Sequence, residues 1–135
     1  MALLFDEDYE YLKSVGLEYD EYIDQRFLVV KSYPVPLGIY VFDGQPINAV
    51  DVLSIIPPNY NATGCDMFWV YPAISRTDGK LIPATGGDDR VFNNVTFVRW
   101  SRHWQADRWK PKFDAIETIL SRIEWALQYP DAVRT

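Results

Sequence analysis

Four β-branched and aromatic runs crowd into residues 26–71, and the one strongly periodic helix comes after all of them. The runs are Arg26–Tyr33, Ile39–Phe42, Ala49–Ile56 and Met67–Tyr71. Each reads as a strand because it ends on a chain breaker: Pro34 and Pro36, Asp43-Gly44, Pro57-Pro58, and Pro72. In the third run Val50, Val52 and Ser54 alternate against Asp51, Leu53 and Ile55. The late helix is marked by Phe113, Ile116, Ile119/Leu120, Ile123 and Leu127 at helical spacing. Asp114 with Glu117 three residues on has the layout of a capping box, and Pro130 ends the helix near Gln128-Tyr129. Residues 5–15 predict a shorter helix, with acids in its first turn and Gly16 behind it. A helix, then strands, then a helix implies an α+β fold: a four-stranded antiparallel meander with the last helix on one face.

Between the fourth strand and that helix, residues 73–90 carry Gly79, Gly86, Gly87 and Asp88-Asp89, which predicts a long surface loop; residues 95–98 predict one more extended piece. At 135 residues the chain is expected to form a single domain over 1–135. One cysteine, Cys65, cannot form an internal disulfide, and the acidic N-terminus lacks the basic region of a signal peptide, so the expected location is the cytoplasm. No run approaches the roughly 20 apolar residues of a membrane helix. The net charge of −6 disfavours nucleic acid as a partner. Acids gather early, from Asp6 to Asp24, and Arg99, Arg102, Arg108, Lys110 and Lys112 fall within fourteen positions late in the chain. Such faces are either solvated or dock a protein. No Cys/His cluster suits zinc, Asp88-Asp89 alone make a poor cation site, and Gly86-Gly87 lack the lysine of a phosphate cradle, so no metal or cofactor is expected.

Three local blocks carry a resemblance. Ile56-Pro57-Pro58-Asn59-Tyr60 looks like the proline–tyrosine turn after strand three of ubiquitin-conjugating (E2) enzymes. Asp66-Met67-Phe68-Trp69 falls at their fourth strand. Trp109-Lys110-Pro111 looks like the Trp-Ser-Pro lead-in to their central helix. With Arg99-Trp100-Ser101-Arg102-His103, the chain resembles a prokaryotic E2-like family over about residues 5–129. The resemblance implies the E2 (UBC-like) fold, with residues 73–90 and beyond as the active-site loop and the chain ending after the central helix. It also implies bacterial ubiquitin-like conjugation, with a ubiquitin-like protein and an adenylating E1-like enzyme as partners.

In that family the nucleophilic cysteine precedes the lead-in Trp by eight positions, and the asparagine linked to the oxyanion lies eight further back. Counted from Trp109 these places fall on Ser101 and Asn93. A serine hydroxyl needs a base, and His103, the only histidine, stands two residues on. The catalytic set implied is therefore Ser101, His103 and Asn93, with a serine oxyester in place of a thioester. Cys65 is the rival nucleophile or a buried thiol. Trp100, Trp104 and Trp109 are support for core and loop or a binding platform. Two functions stay open beside a small ligand-binding domain: a conjugating carrier that passes the ubiquitin-like protein to a target, and an inactive E2 variant acting as a scaffold for the ubiquitin-like protein or the E1.

Overall fold

Helix α1 spans Asp6–Ser14, with Asp6, Glu7 and Asp8 in its first turn and Lys13 in its last, the signs that suit the helix dipole. The computed structural model describes residues 2–65, 67–104 and 108–133. Beyond α1 come β1 (Tyr19–Tyr22), a 3-10 turn (Ile23–Gln25), β2 (Phe27–Pro34), β3 (Tyr40–Phe42), β4 (Gln45–Pro46), β5 (Ala49–Ile55), β6 (Phe68–Tyr71), β7 (Ser75–Arg76), β8 (Arg90–Phe92), β9 (Val95–Trp100) and α2 (Ile116–Gln128).

The main sheet is antiparallel with the order β1-β2-β5-β6-β9-β8. Three of the expected strands form its centre. The fourth, β3, leaves it and joins β4 and β7 in a small separate sheet; the main sheet has six strands, and β9 lies between β6 and β8, so the sequential antiparallel order holds only from β1 to β6. The extended piece expected at 95–98 is β9, inside the sheet, whereas the edge strands β1 and β8 had weak signals. β1 reads Tyr-Asp-Glu-Tyr, its strand character hidden by edge charges. β8 and β9 are joined by Asn93 and Asn94 at φ 53° and 65°, the left-handed pair of a two-residue hairpin turn.

Both faces of this sheet are buried. Leu28, Val30, Val50, Val52, Phe68, Val70 and Trp100 pack with the helices in the larger core. The alternate residues Phe27, Val29, Leu53, Trp69 and Phe97 form a second core on the other face. The sheet itself encloses that core, since Tyr22 on edge strand β1 lies 6.1 Å, ring to ring, from Phe92 on the opposite edge strand β8. Strong twist curls a six-stranded sheet this way. It explains why four consecutive residues of β2, Phe27 to Val30, are buried.

The expected face of α2 is the buried one: Ile116, Ile119, Leu120, Ile123 and Leu127 all point inward. Its start differs. The N-cap is Ala115, not Asp114, and the Asp114 carboxylate instead accepts from the Lys110 amide (2.7 Å) and the Thr118 hydroxyl (3.1 Å). Phe113 lies outside the helix and is 86% exposed. The acceptor for the Ile116 amide is a residue 108 positions away: Asp8 Oδ1, at 3.1 Å.

Two tyrosines tie the sheets to α2. Tyr33 donates to the Leu120 carbonyl (3.3 Å) and Tyr40 to that of Leu127 (2.5 Å). Burial pushes both phenols up to about 12. Between pH 10 and 12 the unfolded chain therefore loses protons that the folded chain keeps, so stability is full below pH 10 and falls as pH rises through this window. Urea unfolding across that range is expected to show the decline, and a Tyr33→Phe, Tyr40→Phe pair to make it shallower, leaving the part due to Tyr9 and Tyr60, whose phenols are also raised. An equally steep decline in the pair would remove these two phenols from the account.

Candidate active site

Strand β9 delivers Ser101. Its partners β6 and the segment 84–86 fix the strand end on both sides: Phe68 pairs with Trp100, Gly86 N–H donates to the Arg99 carbonyl (2.8 Å), and Ser101 N–H donates to that of Ala84 (2.9 Å). The chain stays extended, so side chains alternate. Trp100 and Arg102 turn inward, each 2% exposed, while Ser101 is half-buried and His103 exposed on the other side. Two residues apart on one side of an extended chain, Ser101 Oγ and His103 Nε2 lie 3.4 Å apart. That is long for a hydrogen bond and within the range of a nucleophile–base pair before substrate tightens it. With its proton on Nδ1, the imidazole would accept the serine proton at Nε2. Among the described residues no side chain bonds Nδ1 to orient the ring.

Arg102, which the sequence placed in the basic cluster and in the Arg99–His103 block with no role of its own, holds this segment from below. Its guanidinium donates to the carbonyls of Pro83 (3.2 Å), Ser101 (2.8 Å) and Pro130 (3.0 Å) and lies 4.9 Å from the Trp100 ring centre. Burial pushes its pKa down, yet guanidinium remains the charged form. The period-2 pattern Trp-Ser-Arg-His could have placed Arg102 inward. Nothing in the sequence named the three carbonyls.

The aromatic residues act as support. Arg122 sits 5.0 Å from the Trp104 ring centre and 5.4 Å from that of Trp109, bridging the residues after His103 to α2. Trp109 donates to the Asn61 carbonyl (2.9 Å), and a side chain at Gly64 would overlap its ring. Cys65 is half-buried at the same end of the sheet as Ser101, its thiol donating to the Ile55 carbonyl (3.3 Å).

Asn93 is elsewhere. It occupies the β8–β9 turn, and Ser101 follows the far end of β9. At about 3.3 Å per residue the two stand roughly 20 Å or more apart. The fold therefore brings Ser101 and His103 together and does not bring Asn93 to them. Counting along a chain cannot register that an entire strand lies between. Asp88 bonds Arg90 (2.9 Å) through its carboxylate, and its carbonyl accepts from Trp69 (2.7 Å). Among the described residues no three His, Cys, Asp or Glu side chains gather where they could share a metal ion, and no helix is long and apolar enough to cross a membrane.

In comparison with known protein families, the family described as Prokaryotic E2 family E matches residues 4–130. The curled antiparallel sheet with its two helices agrees with an E2-like fold. No curated protein and no solved structure shows a significant match.

Proposed function

Because the chain belongs to prokaryotic E2 family E, we propose that it serves ubiquitin-like conjugation as a carrier, taking the activated C-terminus of a ubiquitin-like protein from an E1-like enzyme and handing it to a target. The observation that carries the proposal is the Ser101 hydroxyl 3.4 Å from the only imidazole in the chain. In the first step Ser101 Oγ attacks the acyl carbon while its proton passes to His103 Nε2. The bond to the activating group breaks, and that group leaves with the proton from His103. In the second step an amine of the target attacks the oxyester: a C–N bond forms, the C–O bond breaks, and the proton returns to Ser101. Asn93 keeps its turn duty, so the oxyanion takes its donors from a group other than that side chain.

The scaffold alternative draws on two observations: Asn93 stands far from Ser101, and no described side chain orients His103. The two functions separate in one test. After incubation with ATP, the E1-like enzyme and the ubiquitin-like protein, a carrier gains the mass of the ubiquitin-like protein less one water. A scaffold binds and gains nothing.

Partner docking is proposed for the exposed acids of α1. Asp6, Glu7 and Glu10 all face solvent, whereas Asp8 between them does not. Reversing the three charges to lysine is expected to weaken E1 binding at low salt, where surface charges act most strongly. Folding should lose no more than about 1 kcal/mol per position, the scale of helix-dipole and surface charge effects. Unchanged affinity at low salt would remove this surface from the interface.

A further inference from the structure

The segment after α2 does more than end the helix. Tyr129 turns the chain, with Ala132 N–H donating to its carbonyl (3.0 Å), and residues 130–133 then run back over Arg102 and His103. Three anchors hold them there. The buried Pro130 offers its carbonyl to Arg102 (3.0 Å). The Val133 carbonyl accepts the His103 amide (3.0 Å). Asp131 reaches across to Arg76 on β7 at 2.6 Å. The Arg76 side chain is only 10% exposed and is fixed from its other side by Asp78 (2.6 Å), so it meets Asp131 already oriented. A mobile partner would spend conformational entropy on the same bond.

We infer that residues 130–133 form a strap that sets the position of His103 against Ser101, latched by the Arg76–Asp131 ion pair. Arg76 and Asp131 are then positioning residues for the proposed carrier chemistry, on which this part of the inference rests. His103 is exposed, and its side chain has Ser101 as its one hydrogen-bond partner among the described residues. Its backbone is where the fold can hold it, and Val133 supplies that hold. The small β3–β4–β7 sheet thereby gains a link to a site it does not line.

The test reads His103 directly. Amide hydrogen exchange is followed in the full chain for Asp131→Asn, Arg76→Gln, the double variant and the conservative Asp131→Glu. The single variants are expected to speed exchange at the His103 amide about fivefold, the upper end for one partly exposed ion pair. The double variant should add little, because both substitutions break one bond, and Asp131→Glu should restore protection. The ring signals of this single histidine should move in the same variants. Exchange at Val52, in the centre of β5, should stay unchanged. Equal acceleration at Val52 would mean general destabilisation and would overturn the inference, as would no change at His103. Adduct formation at Ser101 should slow in the order that exchange rises. An adduct rate indifferent to a freed His103 would overturn the positioning role. If the wild-type chain forms no adduct at all, the carrier function fails, while exchange and the ring signals still decide whether the strap holds His103.

Discussion

Replacing Asp8 by alanine is expected to cost about 3–5 kcal/mol of folding stability, from two or three donors left without an acceptor at roughly 1–3 kcal/mol each. Asp8 is 2% exposed, and its carboxylate joins three parts of the chain. Oδ2 accepts the Phe5 amide (3.0 Å), closing the start of α1. Oδ1 accepts the Tyr60 hydroxyl (3.1 Å) and the Ile116 amide (3.1 Å), closing the start of α2. One buried carboxylate thus serves two helix N-termini, each of which presents orphan N–H groups and a positive dipole end. Burial, and then the charge of Asp8, push the Tyr60 phenol well above its ordinary range, which keeps it a donor. Asp8→Asn should lose less, since its amide can still accept from Tyr60 and Ile116 while its N–H₂ faces the Phe5 donor. Urea unfolding would show the loss as a lower midpoint at unchanged slope. A loss no greater than that of exposed Asp6→Ala would contradict this account of how the two helices are joined.

The position of Asp8 marks the boundary of what the sequence could tell. Helix spacing at Ile116, Ile119, Ile123 and Leu127 is local, so the buried face of α2 was legible. The proline and Asp-Gly stops were local too, and three of the four strands they bound fell into the main sheet. Partners distant in sequence were not legible. The cap of α2 comes from residue 8, and Asp114, the local candidate, is engaged with Lys110 and Thr118. β3 matches a strand by composition, yet it pairs outside the main sheet because pairing is chosen by tertiary neighbours. The same division runs through the site. Ser101 and His103 meet because alternation over two residues is a local rule, whereas Arg102 finds its carbonyls on two distant segments. Asn93 was placed by counting alone, and the length of β9 separates it from Ser101.

Ser101→Ala is expected to abolish the covalent adduct, the largest functional effect of any single substitution here. Truncation removes the hydroxyl on which the proposed ester forms, and the buried Trp100 and Arg102 lie on the other side of the extended chain. Ser101→Cys should form the adduct as a thiol-sensitive species, because a thiolate needs less help from a base. His103→Ala should slow adduct formation on the serine by about 10²–10⁴, the usual contribution of a general base, and slow it far less on the cysteine. That difference separates a base from a packing group. Asn93→Gly suits the left-handed turn position and should leave the rate unchanged, and Cys65→Ser should do the same. The most direct measurement is the intact mass of the wild-type chain and of Ser101→Ala after incubation with ATP, the E1-like enzyme and the ubiquitin-like protein. The carrier account predicts a wild-type mass raised by one ubiquitin-like protein less one water, with the adduct stable to thiol, cleaved by mild base and absent from Ser101→Ala. An adduct that survives Ser101→Ala and disappears with Cys65→Ser would contradict it.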